Sequence, residues 1–208
     1  MGYSTIFDVI GAIIIGGAVA LIAIRANGTF GKMAYTYGSE LNVQKNMTTV
    51  VRMLETDLRK CGYCAEPDSF TMYYSAIRGA SQHSITFLAN LDFNKRLDTV
   101  RYYTGTVRDL SSTTNPRDFV LYRSVNSTNV TPMYVGLTQF DFKFFNWNGD
   151  SLTFPILMDS VSQTNRATGI FSLQLTVMME SQETWDNLYA YAYWRQLRLT
   201  AMNLRLDR

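Results

Sequence analysis

The apolar and polar positions divide the chain into three parts with different periods. Residues 6–24 form one apolar stretch in which Asp8 is the single charged residue. From Lys32 onward apolar residues recur at helical spacing, and from residue 70 the period shifts towards two. We therefore expect an α+β fold, in which a long N-terminal helix packs on one or two antiparallel sheets.

The apolar stretch is long enough to cross a membrane. Residues 6–24 would span about 28 Å as an α-helix, close to the ~30 Å hydrocarbon core of a bilayer. A cleaved signal peptide needs a basic segment first, but neither Lys nor Arg precedes Ile6, so we expect a retained anchor. Ala12, Gly16 and Ala20 recur at every fourth position, and such small side chains let a second helix approach closely.

Asp8 has two interpretations. At a membrane interface its carboxylate would stay hydrated and interact favourably with the positive end of the helix dipole. In a helix bundle it would instead pair with a positive group, most simply the N-terminal amine of a neighbouring copy.

The segment after the anchor predicts a break and then a second helix. Gly28 and Gly31 each weaken a helix by about 1 kcal/mol relative to Ala, so we expect the helix to melt within residues 25–31. This divides the chain into an anchor, residues 1–31, and a domain, residues 32–208, that opens with a helix over 32–61 ended by Gly62. One stripe of that helix should be buried against the domain: Met33, Tyr37, Leu41, Met47, Val50, Val51, Leu54 and Leu58.

Alternating apolar and polar residues, clearest in 173–179, predict strands in the rest of the chain. The predicted strands are 71–74, 85–88, 100–103, 119–123, 140–145, 173–179 and 191–199. Segments 105–118 and 146–169 are rich in Ser, Thr, Asn, Asp and Gly and should be loops.

Residues 4–8 followed by the apolar residues 9–15 resemble the first residues and helix of type IV pilins. Asp8 takes the place of the Glu found fifth in the mature family, and Tyr3 stands where the family has the glycine before its cleavage site. The resemblance implies that the helix is an assembly element and that Asp8, Ala12, Gly16 and Ala20 contact other subunits.

A second resemblance runs through most of the chain. Residues 54–63 are similar to the segment that ends the long helix in W-type minor pilins and in J-type minor pseudopilins of type II secretion. The later pieces occur in that group's order: 84–88, 98–103, 115–118 with 121–123, and 198–205. This resemblance implies a structural subunit that primes or caps a pilus-like filament, with other pilin-like subunits or copies of itself as partners.

The placement of the domain depends on which signal is followed. Arg25 and Lys32 are the first basic residues and both follow the apolar stretch, so the positive-inside rule alone would leave the domain in the cytoplasm. The resemblance to pilins implies the opposite, an inner-membrane anchor with an extracytoplasmic domain, or an extracellular filament. A single-pass anchored binding module is the alternative function, in which the helix is merely a tether.

The residue inventory argues against an enzyme and predicts no cofactor. His83 is the single histidine, and its place before a predicted strand favours a surface loop over a catalytic role. Glu180 and Glu183 are expected to be solvated at a turn. A net charge of +2 does not favour nucleic acid as the main partner.

Cys61 and Cys64 are the two cysteines of the chain. A redox site is unfavoured because such a cysteine normally begins a helix, whereas Cys61 follows one. Zinc would need two more ligands. A local disulfide outside the cytoplasm is the preferred interpretation, and free thiols are the alternative.

Residues 92–98 place the oxygen-bearing side chains of Asp92, Asn94 and Asp98 at alternate positions, as calcium loops do. Lys95 and Arg96 oppose a cation there, so we favour a plain hairpin turn and predict no metal.

Overall fold

The computed structural model of the chain describes residues 2–62, 76–92, 96–159, 162–163, 165–184 and 188–199. The chain begins with a single helix, α1, over Tyr3–Arg59. Seven strands follow, with a short 3-10 helix at Val107–Leu110 between the third and the fourth. The α+β prediction is confirmed: the chain has a long apolar N-terminal helix and an antiparallel sheet, which is consistent with a pilin-like layout.

Helix α1 runs without interruption through the segment where a break was predicted. Residues 25–31 are helical, so the prediction of a melted segment is wrong. Once a helix is nucleated, each further residue adds a backbone hydrogen bond, and two glycines costing about 1 kcal/mol each do not stop its propagation. The helix ends at Arg59, where the Lys60 amide donates to the Asp57 carbonyl, and Gly62 follows with a positive φ of 72°.

The strands form one sheet in which each strand pairs with its sequence neighbours, in the order β1 to β7, all antiparallel. Their bounds are β1 Ile77–Ser81, β2 Ser84–Ala89, β3 Asp98–Thr104, β4 Phe119–Val125, β5 Asn129–Phe145, β6 Ser172–Glu180 and β7 Tyr191–Leu199.

Strand β5 is shared between two parts of the sheet. Its first half pairs with β4, up to Leu137 opposite Phe119, and its second half pairs with β6. The change of partner occurs beside Gly136, whose φ is 70° and where a Cβ would overlap the Glu180 carbonyl oxygen. A glycine is required there because other residues rarely adopt this conformation and have no room for a side chain.

The core lies between the C-terminal part of α1 and the inner face of the sheet. From the helix it takes Val43, Met47, Val50, Val51, Leu54 and Leu58, and from the sheet residues such as Phe87, Tyr102, Phe140, Phe142 and Leu175. The predicted stripe is therefore correct from Met47 onward. Met33, Tyr37 and Leu41 are instead 62%, 68% and 55% exposed, because the sheet covers the helix only from Val43.

Most strand predictions are confirmed, and β7 has the predicted bounds. The predicted strand 71–74 lies outside the described residues. Strand β1 and the first half of β5 were not predicted. Gly79 in β1 and Pro132 in β5 interrupt the alternation of apolar and polar residues, so neither segment is recognised as a strand from its sequence pattern.

Candidate assembly surface

Most side chains of the first forty residues of α1 are exposed in the described part of the chain. No residue from 5 to 42 whose side chain is described is buried, whereas Val43 is 3% exposed. The most apolar 18-residue window of the helix has a mean hydropathy of 2.5, and none of it is buried within the chain. This is the one helix among the described residues that is long and apolar enough to cross a membrane, and it is compatible with membrane anchoring.

The exposed apolar side chains of the anchor are large and numerous. They are Ile6, Phe7, Val9, Ile10, Ile13, Ile14, Ile15, Val19, Leu21, Ile22 and Ile24. Removing one such side chain from water stabilises a protein by about 1.5–3 kcal/mol, while a whole domain is stable by only about 5–15 kcal/mol. A surface of this kind requires a cover, either lipid or other protein.

The predicted assembly residues all lie on this uncovered helix. Asp8, Ala12, Gly16 and Ala20 are exposed. A Cβ built on Gly16 meets no atom within 4 Å, so within one copy nothing requires a glycine there. The contacts of these residues with other subunits stay a prediction.

A second apolar stripe continues beyond the membrane-length segment. Phe30, Met33, Tyr37 and Leu41 are between 55% and 69% exposed and recur at intervals of three and four residues, which places them on one side of the helix. The chain's own sheet does not reach them. Uncovered apolar surface therefore extends from the anchor to the edge of the domain.

The C-terminal part of α1 is attached to the sheet through a buried polar cluster that sequence reasoning missed. The Tyr102 hydroxyl on β3 donates to the Asp57 carboxylate at 2.6 Å. Arg123 Nε on β4 donates to the same carboxylate at 2.7 Å and lies 3.0 Å from the Tyr102 oxygen. Asp57 is 6% exposed, so these two donors supply the hydrogen bonds that a buried carboxylate needs. The sequence signal for this cluster was Asp57 itself, an acidic residue among the apolar positions that the helical spacing predicts to be buried.

The electrostatics of this cluster favour a charged pair. Burial opposes the charge of Arg123, but its hydrogen bonds to Asp57 and Tyr102 outweigh this and raise its pKa. Burial and the adjacent Asp57 charge raise the pKa of Tyr102, so its hydroxyl keeps its proton and remains a donor. The cluster ties the end of the helix to β3 and β4.

Glu180 is not solvated as predicted. It is 7% exposed at the end of β6, and its Oε2 accepts from Arg117 Nη2 at 2.7 Å and from Asn115 Nδ2 at 2.9 Å. The hydrogen bond to Glu180 raises the pKa of Arg117. The correction has a physical cause: residues 115–117 fold back over the strand end and supply the donors that a buried carboxylate needs. Glu183 is exposed as predicted.

A groove of about 790 Å³ lies where the domain meets the exposed part of α1. The helix contributes residues such as Tyr35, Asn42 and Asn46, and the opposite wall includes Thr113, Glu180 and Gln182. Hydroxyl, amide and carboxylate groups thus line a concave surface. Such a surface offers hydrogen-bonding groups to a polar ligand.

The remaining candidate residues show no reactive arrangement. His83 is exposed as predicted, in the turn between β1 and β2, where its Nδ1 lies 3.0 Å from the Phe140 carbonyl oxygen and 3.1 Å from Asp141. Asp98 Oδ1 accepts from Asn126, and its Oδ2 accepts from the Leu91 amide. Asn94 of the calcium-like loop lies outside the described residues. Across the described part of the chain no three His, Cys, Asp or Glu side chains are placed to bind a metal.

Cys61 is a buried thiol at the end of α1, 2% exposed, and burial raises its pKa to about 12. A thiol of this kind is a poor nucleophile. Cys64 lies outside the described residues, so the disulfide between the two stays a prediction.

Comparisons with models of protein families and with curated proteins found no match for this chain.

Proposed function

We propose that this chain is a structural subunit of a type IV pilus-like or type II secretion-like filament, of the minor pilin or pseudopilin kind. It assembles through its N-terminal helix with copies of itself or with other pilin-like subunits. Before assembly the helix anchors the chain in the inner membrane, with the domain on the extracytoplasmic side. The subunit has no catalytic role.

The observation that carries the proposal is the division of α1 into an exposed part and a buried part. Residues 43–58 carry the helix's share of the domain core, whereas no described side chain of residues 5–42 of the same helix is buried among the described residues. A tether needs about 20 apolar residues to cross a bilayer. The uncovered apolar surface here continues to Leu41, well beyond that length, and a bilayer covering residues 6–24 leaves Phe30, Met33, Tyr37 and Leu41 in water. Neighbouring helices cover both segments.

The second candidate is a membrane-anchored binding module, which the polar groove between α1 and the domain favours. The two functions differ in what they demand of the helix. A tether works with any apolar span, whereas a filament subunit needs the particular side chains that pack against its neighbours.

Replacing residues 3–24 with an equally long polyleucine segment separates the two functions. We expect the replaced chain to reach the membrane in normal amounts but to be lost from filaments, because polyleucine lacks the small side chains and the carboxylate of the native helix. The measurement is the amount of chain in membranes and in sheared filament fractions of cells. Normal incorporation of the polyleucine chain would contradict assembly through the helix and favour the binding module.

A further inference from the structure

The uncovered part of α1 carries few charges, and their positions are informative. Over residues 3–41 they are Asp8, Arg25, Lys32 and Glu40. Asp8 and Arg25 bracket residues 9–24, which carry no charge. Both side chains are exposed, and neither has an ion-pair partner within the described residues, whereas Lys32 already interacts with another group of the chain.

These two opposite charges cannot neutralise each other within one copy. They are 17 positions apart on a continuous helix, which at 1.5 Å per residue is a distance of about 25 Å. In a membrane each can reach the water at its own face of the bilayer. When the helices leave the lipid and pack together, both charges lose that water and each needs a partner of opposite sign.

We propose that Asp8 of one copy pairs with Arg25 of the next copy, so that neighbouring subunits are offset along the helix axis by about 25 Å. The inference rests on the proposed function, since it presupposes a filament of this chain. It identifies the contact that sets the spacing between subunits. An arginine suits this role, since its guanidinium keeps its charge when buried and binds a carboxylate through two hydrogen bonds.

The same offset accounts for the second apolar stripe, at residues 30–41 of the helix. It brings residues 12–24 of one copy level with residues 29–41 of the next. The apolar anchor of one subunit then lies at the height where Phe30, Met33, Tyr37 and Leu41 of its neighbour lack a cover. Because the contact joins two different parts of the surface, it leaves both ends of the assembly open and builds a filament.

Charge reversal tests the pair in the full-length chain in cells. Asp8→Arg copies carry two positive charges and Arg25→Asp copies carry two negative charges, so each variant alone meets like charge at every contact. We expect each to reduce pelletable filaments at least about tenfold. Expressed together, the two variants can alternate and pair at every contact, and we expect filaments of equal composition within about threefold of the native amount.

Controls separate the pair from its alternatives. Lys32→Asp copies keep the native pair and should form filaments by themselves, but they should not bring Asp8→Arg copies into those filaments in equal amount, because they still present Arg25. Immunoblots of membranes should show equal amounts of all variants. If native chains form filaments but the mixture of Asp8→Arg and Arg25→Asp does not, the pair is refuted while the proposed function stands, and Asp8 has another partner such as an N-terminal amine. If native chains form no filaments, both are refuted.

Discussion

Arg123→Ala is expected to lower the free energy of unfolding of the domain by about 3 kcal/mol, because it leaves the Asp57 carboxylate buried without its positive partner. The measurement is urea unfolding of a fragment comprising residues 32–208. This fragment retains Val43 and every later residue of the hydrophobic core, and it lacks the apolar anchor.

Two further variants show that the effect belongs to the cluster. Tyr102→Phe removes one hydrogen bond to Asp57 without changing the packing, and should cost about 1 kcal/mol. Arg52→Ala changes an exposed arginine on the same helix and should stay within about 0.5 kcal/mol of the native fragment. Equal stabilities of Arg123→Ala and Arg52→Ala would show that the ion pair does not hold the helix on the sheet.

Gly16→Leu is expected to reduce filament assembly at least about tenfold while leaving the domain folded, because a leucine at that position keeps a neighbouring helix from close approach. Within a single copy the change is harmless, since a side chain at position 16 meets open space. The measurement is the amount of the variant in sheared filaments, set against its amount in membranes.

Gly17→Leu is the matched control for this substitution. Gly17 also has nothing within 4 Å of a Cβ, but it lies outside the stripe, about 100° around the helix from Gly16 at its centre and about 60° beyond Ala20 at its edge. The account expects Gly17→Leu to assemble better than Gly16→Leu. Normal assembly of both variants would contradict a close helix contact at Gly16. Equal loss of assembly in both variants would show that the stripe of Ala12, Gly16 and Ala20 is not the specific contact face.

The sequence was sufficient to predict the elements with a strong local pattern. The apolar helix and strands such as β6 and β7 follow from periods that their own residues set. Propensity was misleading at Gly28 and Gly31, because a helix that is long on both sides continues through two weak positions.

What the sequence did not reveal depends on contacts between distant segments. Met33 and Tyr37 have the same spacing as the buried residues that follow them, and only the position of the sheet decides that they stay exposed. Glu180 is buried because Arg117, 63 residues earlier, supplies its donors. The Asp57 cluster likewise joins a helix to two strands, and no local pattern indicates that these three side chains meet.

The measurement that tests the central claim most directly is a helical reconstruction, by electron microscopy, of the assembly that contains the native chain. The account predicts a polymer in which residues 6–24 are buried among the helices of neighbouring copies and the sheet domain forms the outer surface. A chain found instead as single copies, with residues 6–24 surrounded only by lipid and no polymer in cells that express it, would contradict the account.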